Sequence, residues 1–198
     1  MNDIRLMTIS SDEVLLSQTE LSARLKLPAG VLCDETESAV AEIRKRAEIK
    51  AVYCEEDFTL LPNGTLDLGF CRVKSRALAR HLAGCTRVLL FAATVGMGVE
   101  RYLTGLSALS VSKRYFADAV SSAMIEDACN LLQAKIALQY GKLTPRFSPG
   151  YGDLPLSVQP ALLARLDAAR RVGITLSPSL LMTPKKSVTA LIGVKHHD

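Results

Sequence analysis

The sequence has no tryptophan, and its aromatic residues make up only 5% of the 198 positions. Its 24 Lys and Arg residues barely outnumber its 20 Asp and Glu residues, giving a net charge of +4, and they are spread along the chain. A nucleic-acid-binding surface usually needs clustered basic residues with aromatic groups among them. We therefore expect no nucleic-acid partner.

Long apolar runs are also missing. The longest covers Val88–Val95 and its neighbours, which is far short of the roughly 20 apolar residues that a membrane-spanning helix needs. The N-terminus lacks the basic-then-apolar order of a secretory signal. We expect a cytoplasmic chain with no membrane partner.

The cysteines and histidines predict no metal centre. The five cysteines are odd in number and contain no C-x-x-C pair, which suits neither a disulfide framework nor a zinc or iron–sulfur site. His196 and His197 are terminal, and we expect His196–Asp198 to be a frayed tail. His81 and Gly84 match part of the D-x-H-x-x-G signature of some corrinoid proteins, but Ala79 replaces its Asp. We interpret His81 as a histidine in a basic helix.

Periodicity and turn residues predict a mixture of helices and strands. Asp34 and Thr36 predict the start of an amphipathic helix that continues to about Lys50. Asn63-Gly64 between alternating apolar residues is a strong hairpin signal. Further helices are predicted at Ser75–Leu82, Ser112–Tyr140 and Ala161–Arg171, and strands at Arg87–Val95, Ile174–Met182 and Ser187–Lys195. We predict an N-terminal helical and hairpin portion over residues 1–85 and a second portion over residues 86–198, within one compact domain.

One candidate ligand turn is the Gly-Met-Gly sequence at Gly96–Gly98. It follows a predicted buried strand and precedes a helix, the place where α/β proteins hold phosphates on free backbone N–H groups. The third glycine of G-x-G-x-x-G is absent, because Arg101 stands there. We favour a tight turn over a nucleotide site.

A second candidate is the loop RFSPGYGDLPLSVQ, which follows the longest predicted helix. Arg146 offers a planar fork for a carboxylate, and Pro149 and Gly150 stiffen the backbone while letting it approach a flat ligand. Tyr151 can stack on such a ligand. Equally, Arg146 can pair with an internal carboxylate and Tyr151 can fill the core, and the residues alone favour neither interpretation.

The order of several segments between Val88 and Val194 resembles that of a known family, the S-adenosylmethionine-binding activation domain of cobalamin-dependent methionine synthase, particularly its short free-standing relatives. The matching segments are LLFAATVG, FADAVSSAMIE, RFSPGY and VGITLSPSLLMTPKKSV. The resemblance implies an α+β fold in which a curved antiparallel sheet packs against helices.

The resemblance also implies roles for the loop. In the family, the arginine that matches Arg146 holds the carboxylate of S-adenosylmethionine, and the backbone that matches Ser148–Gly150 contacts the adenosine. The tyrosine that matches Tyr151 lies near the cobalamin. A glutamate that the family uses on its long helix falls at Ser122 here, and we expect Glu126, one turn later, to take its place. From chemistry alone, Glu126 can bind a ligand amine or pair with an arginine, and we favour the pairing.

The sequence contains no cobalamin-binding module, no thiolate zinc site for homocysteine and no folate barrel, so we expect it to act on a partner. The resemblance implies a trans-acting activation subunit that presents S-adenosylmethionine for reductive remethylation of the cobalt of a corrinoid protein or core methionine synthase. Flavodoxin or ferredoxin would supply the electron. The chain would then be part of a methyltransferase system rather than a complete enzyme.

Two other functions stay open. A non-enzymatic adaptor, or corrinoid-protein-binding module, would keep the fold without the S-adenosylmethionine site. A binding protein for another carboxylate-bearing small molecule is the third interpretation. Titration with S-adenosylmethionine and S-adenosylhomocysteine separates them.

Overall fold

The computed structural model describes residues 3–195, so the predicted frayed tail at 196–198 lies outside it. The helices are α1 Gln18–Arg24, α2 Asp34–Arg46, α3 Arg76–His81, α4 Met97–Leu109, α5 Val111–Tyr140, α6 Gln159–Arg165 and α7 Ala168–Val172. The strands are β1 Arg5–Ile9, β2 Ile49–Glu56, β3 Thr59–Leu60, β4 Leu66–Asp67, β5 Arg72–Val73, β6 Cys85–Thr94, β7 Thr175–Leu176, β8 Met182–Thr183 and β9 Ser187–Lys195. Short 3₁₀ turns cover Ser11–Glu13 and Leu156–Val158.

The main sheet has four antiparallel strands in the order β1-β2-β6-β9. Two smaller antiparallel sheets, β3-β4-β5 and β7-β8, lie outside it. The predicted α+β class, with an antiparallel sheet and packed helices, is confirmed. Strands from both sides of the predicted boundary at residue 85 belong to the main sheet.

Helices and small sheets cover both faces of the main sheet, which explains why β6 is apolar on both of its faces. Leu89 and Phe91 of β6 point into one core, where they meet α1, α2, α4 and α5. Leu90 and Ala92 point into a second core, which contains the β3-β4-β5 sheet, α3, α6 and α7. The predicted strand at Arg87–Val95 is therefore the central, doubly covered strand.

Several predicted elements are confirmed within one or two residues. They include the helix α3, the 30-residue helix α5, which Gly141 ends, and the final strand β9. The Asn63-Gly64 hairpin also forms, with Gly64 at φ +76°, although its paired strands are only two residues long.

The helix that we predicted from Asp34 to about Lys50 is too long. It begins after Cys33, which makes no side-chain capping bond, and it ends at Arg46. Ala47 is already extended, and the chain then enters β2, a strand that the sequence pattern did not predict. The apolar residues of β2 at first continue the helical spacing of Ile43 and Ala47, which is why periodicity extended the helix into the strand.

Two predictions near the C-terminus are also wrong. The helix predicted at Ala161–Arg171 is broken into α6 and α7 by Asp167, which lies in the left-handed region at φ +50°. The strand predicted at Ile174–Met182 is a hairpin, β7-β8, whose turn places Leu180 at φ +62°. Ser177 to Leu181 forms that turn, since the Ser177 N–H bonds the Leu181 carbonyl.

Candidate functional site

Helix α5 presents a stripe of three polar side chains, Glu126, Asn130 and Gln133, beside the loop that follows it. Ser110 caps its N-terminus by accepting from the Lys113 N–H at 3.3 Å, and no proline or glycine interrupts its 30 residues. Most of its apolar residues are buried in the first core. Glu126, Asn130 and Gln133 follow at helical spacing of four and three residues, so they share one face.

The predicted loop after α5 lies against this stripe, and the two form one side of a cleft of about 1110 Å³. Segments around Leu181 and Val188, from the β7-β8 hairpin and β9, complete its walls. The long helix and the RFSPGY loop thus meet at one concave site. A cleft of this size is sufficient for a small-molecule ligand.

The structure brings most of the predicted site residues together. Those that line the cleft are Glu126, Arg146, Ser148, Pro149 and Tyr151. Gly150 is not among the lining residues, but its φ of +93°, which glycine adopts without strain, shapes the loop between them.

Ser122 is a predicted site residue that does not line the cleft. Its hydroxyl donates to the Asp118 carbonyl at 2.9 Å and accepts from Lys186 Nζ at 2.7 Å. Lys186 also pairs with the Asp118 carboxylate at 2.8 Å, and only 16% of its side chain is exposed. A half-buried lysine, rather than a ligand group, therefore occupies the hydrogen-bonding capacity of Ser122.

Arg146 is held by all three residues of the α5 stripe. Its Nη1 donates to Gln133 Oε1 at 3.1 Å, and its Nη2 donates to Asn130 Oδ1 at 2.9 Å. The contact from Nη2 to Glu126 Oε2 is longer, at 3.4 Å, and 47% of the Glu126 side chain is exposed. The favoured pairing of Glu126 with an arginine is present, and both charged groups lie on the cleft wall.

The loop is held by hydrogen bonds within its own backbone and by hydrogen bonds to β9. Phe147 and Leu191 exchange two backbone hydrogen bonds of 2.9 and 2.8 Å. The Gly150 N–H bonds the Leu154 carbonyl, and the Tyr151 N–H bonds the Ser148 carbonyl. Tyr151 is 59% exposed at the tip, with its ring edge-to-face on Phe147 at 6.2 Å. It is therefore available to a ligand or a partner rather than buried in the core.

The charges of the cleft are mostly positive. Arg146, Lys142 and Lys185 line it, whereas Glu126 is the one acid among the described lining residues. Such a surface suits a ligand with a carboxylate, and Glu126 can receive an ammonium group. On α5, burial raises the pKa of the Cys129 thiol to about 12, so that this thiol is protonated at neutral pH. The charged groups that line the cleft can bind and orient a ligand.

Other cleft residues were not predicted from the sequence, among them Asn130, Gln133, Lys142 and Lys185. The spacing of Glu126, Asn130 and Gln133 on an apolar helix was the available signal for the first two. Lys142 and Lys185 lie in connecting segments, so periodicity gives no indication that they face the same cleft.

The other candidate, the turn at Gly96–Gly98, is packed against backbone. A Cβ at Gly98 would lie 2.5 Å from the Arg46 carbonyl oxygen, and one at Gly96 would lie 3.1 Å from the Glu48 carbonyl oxygen. These contacts support the favoured interpretation of a tight turn. Among residues 3–195, no group of three or more His, Cys, Asp and Glu side chains could hold a metal ion. No helix in that range is both long and apolar enough to cross a bilayer.

No protein-family model and no curated protein matches the sequence. A solved structure that is similar in fold is described as the MetH reactivation domain bound to AdoHcy. The two share 12% sequence identity and a TM-score of 0.76, and the alignment covers 99% of this chain and 79% of that chain. This chain therefore has the fold of that reactivation domain over nearly its whole length, which includes most of residues 3–85, a region outside the segments that carry the sequence resemblance.

Proposed function

We propose that the cleft binds S-adenosylmethionine and S-adenosylhomocysteine, and that the chain acts in trans as the activation subunit of a cobalamin-dependent methionine synthase or a related corrinoid methyltransferase. The observation that carries the proposal is the placement of Arg146 and Glu126 on one cleft wall, 3.4 Å apart. A free amino-acid end carries a carboxylate and an ammonium group, which are the complements of these two side chains.

The long Arg146–Glu126 contact is suited to exchange for ligand contacts. A hydrogen bond to nitrogen is ordinarily about 2.9 Å long, so the 3.4 Å pair is weak. Arg146 remains oriented by Gln133 and Asn130 when Glu126 turns to a ligand ammonium group. Asn130 and Gln133 are thus the residues that preorganise the guanidinium.

The remainder of the cleft suits an adenosine. Leu156, Met182 and Val188 provide apolar walls, and Tyr151 provides an exposed aromatic ring beside them. The similarity in fold to a domain described as bound to AdoHcy supports this assignment. The chain would orient the sulfonium methyl group toward a corrinoid that the partner protein carries, and that cofactor supplies the methyl-acceptor chemistry when bound. Flavodoxin or ferredoxin is the proposed electron donor.

The binding step is tested by calorimetric titration with S-adenosylhomocysteine, S-adenosylmethionine and adenosine. We expect both amino-acid-bearing ligands to bind and adenosine, which lacks the amino-acid end, to bind at least about tenfold more weakly, because the charge-assisted bonds are lost. Absence of heat and of thermal stabilisation at millimolar ligand would contradict the proposal.

The trans-acting step needs a separate experiment. A core methionine synthase that lacks its own activation domain should regain turnover when this chain, S-adenosylmethionine and a reducing system are added together. An Arg146→Ala variant serves as the control, because it should retain the fold and lose the effect. Equal turnover with and without the wild-type chain would contradict a trans-acting role, even if the ligand binds.

One observation favours the adaptor as a second candidate. Arg146 makes three contacts to side chains of α5, and its own side chain is only 17% exposed, as expected of a structural crossover. An adaptor with this loop would bind a corrinoid protein through exposed groups such as Tyr151 and would give no signal in the ligand titration.

A further inference from the structure

The loop that carries Arg146 and Tyr151 is attached to the N-terminus of α3 through Asp153, which lies near the C-terminal end of the loop. The Asp153 carboxylate accepts from Ser75 Oγ at 2.5 Å, from the Arg76 N–H at 2.8 Å and from the Ala77 N–H at 3.1 Å. The two N–H groups belong to the first turn of α3, where they have no intrahelical acceptor. A loop residue 76 to 78 positions away thus caps this helix.

The N-terminal end of the loop is attached to the other end of α3. His81 Nε2 lies 2.9 Å from the Pro145 carbonyl oxygen and 2.9 Å from Thr144 Oγ1. Because a carbonyl can only accept, Nε2 carries the proton and donates it to Pro145. The imidazole also packs against the ring of Phe147, with 4.9 Å between centroids.

Between these two ends, the loop backbone lies directly on α3. A Cβ at Gly152 would be 2.9 Å from the Ala77 Cβ, so the contact leaves no room for a side chain. Helix α3 is itself fixed, because Leu78 and Leu82 are fully buried in the second core. A short, anchored helix thus supports the segment from Pro145 to Asp153.

We propose that Asp153 is a positioning residue for the candidate ligand site: by tying the loop to α3, it holds Arg146 and Tyr151 in place along the cleft. The role depends on the proposed function, since it concerns ligand binding in that same cleft. Asp153 does not itself line the cleft, and α3 lies outside the segment that resembles the known family.

The electrostatics agree with the geometry. The hydrogen bond from Ser75, followed by those from the Ala77 and Arg76 N–H groups, lowers the pKa of Asp153 to about 2. The carboxylate is therefore ionised at neutral pH and binds the positive end of the α3 dipole.

The attachment can be tested without any ligand by amide hydrogen exchange of Asp153→Ala and Asp153→Asn. We expect the Gly150, Tyr151 and Leu154 amides to exchange about tenfold faster in Asp153→Ala, since a charge-assisted cap is lost, while β6 amides keep their wild-type rates. Asp153→Asn keeps one acceptor oxygen and should give an intermediate rate. Loop rates equal to wild type in both variants would overturn the proposal.

Asp67→Asn is the matched control. Asp67 also accepts from a loop backbone N–H, that of Gly69 at 3.1 Å, and from Arg72, and its pKa is also lowered, but it lies in the β3-β4-β5 sheet and does not line the cleft. This variant should leave exchange in the 150–154 segment unchanged. A general increase of exchange in all three variants would mean that Asp153 only contributes to global stability.

Ligand affinity supplies the second readout, measured well below the melting transition, where every variant is folded. S-adenosylhomocysteine should bind Asp153→Ala about tenfold more weakly than wild type and should bind Asp67→Asn normally. Wild-type affinity in Asp153→Ala would overturn the positioning role. If the wild-type protein does not bind the ligand, the proposed function fails, whereas the exchange rates still decide whether Asp153 fixes the loop.

Discussion

Two glycine-containing turns of this chain have similar sequence features but different surroundings. The Gly96–Gly98 turn is closed, because a Cβ at Gly98 would lie 2.5 Å from the Arg46 carbonyl oxygen. At the Pro149-Gly150 turn, the nearest contact for a Cβ on Gly150 is Leu156 Cδ1 at 3.7 Å, and an open cleft lies alongside. Both turns contain a glycine at positive φ, Gly96 at +92° and Gly150 at +93°, so the two turns differ in the space around them and not in this backbone conformation. Tertiary surroundings, rather than the glycines themselves, distinguish a packing turn from a candidate ligand loop.

Gly98→Ala should have the largest effect on stability. The new methyl group meets backbone, which cannot rotate away as a side chain can, and overpacking of this kind typically costs about 1–3 kcal/mol. Urea denaturation should show the loss, while the affinity for S-adenosylhomocysteine stays at the wild-type value. A weakened affinity in folded Gly98→Ala would break the distinction between the two turns.

The same helix provides the control for Gly98→Ala. Gly105, also in α4, has an ordinary helical φ, and a methyl group there would meet no other part of the protein within 4 Å. Alanine there should stabilise the protein by roughly 0.5–1 kcal/mol, because alanine favours the helix. A loss of stability in both variants would show that α4 tolerates no substitution, irrespective of the contact with Arg46.

Compared with Gly98→Ala, Gly150→Ala should lower the stability less and the ligand affinity more. A left-handed backbone costs an ordinary residue about 1–2 kcal/mol, so the loop is expected to shift in order to relieve that strain. Gly64→Ala, at φ +76° in the β3-β4 hairpin, introduces a similar strain far from the cleft. Calorimetry should therefore show weaker S-adenosylhomocysteine binding for Gly150→Ala only. Equal affinities in the two variants would contradict a special role of the 148–151 backbone.

The smallest expected effect is a pH dependence that belongs to the cleft loop and not to the Gly96–Gly98 turn. The folded-state pKa of Asp153 is lowered from 3.8 to about 2, chiefly by the Ser75 hydrogen bond. Its stabilisation is thus fully present above pH 3.8 and is lost as the pH falls through about 2. Over this range the melting temperature of wild type should fall more steeply than that of Asp153→Asn. If the melting temperatures of wild type and Asp153→Asn fall equally steeply with pH, the pH dependence does not arise from Asp153.

Much of the fold could be predicted because several elements carry local signals. Helix α5 has a long run free of proline and glycine, β6 has a continuous apolar run, and Asn63-Gly64 is a hairpin dipeptide. Strand β2 was missed because its first residues fit the preceding helical period, and only its pairing with β6 fixes it as a strand. The break at Asp167 was missed because a left-handed aspartate gives no signal in a helical pattern.

The chemistry of the candidate site could be predicted from the sequence, but the contacts that hold its loop in place could not. A loop rich in proline and glycine beside an arginine indicated where a carboxylate could bind, and the structure places Glu126 beside Arg146. The attachment of this loop to α3, through His81 at one end and Asp153 at the other, depends on contacts between residues more than 60 positions apart. Contacts at such separation arise from topology, which a single sequence does not specify.

The comparison of Arg146→Lys with Arg165→Lys is the most direct test of ligand binding at the cleft. Arg165 is a comparably buried arginine, 20% exposed, which pairs with Glu56 at 2.5 Å and does not line the cleft. Lysine keeps the charge and loses the planar fork, so each variant should lose some stability. The affinity for S-adenosylhomocysteine should nevertheless fall only in Arg146→Lys.

The decisive quantity is the dissociation constant of S-adenosylhomocysteine for these two variants and wild type, measured by calorimetry alongside the melting temperature. Loss of a charge-assisted bond costs about 1.5–3 kcal/mol, so Arg146→Lys should bind roughly tenfold to hundredfold more weakly, while Arg165→Lys binds like wild type. If Arg146→Lys melts at a lower temperature and wild type shows no ligand response, Arg146 is a structural crossover residue and the proposed ligand site is wrong.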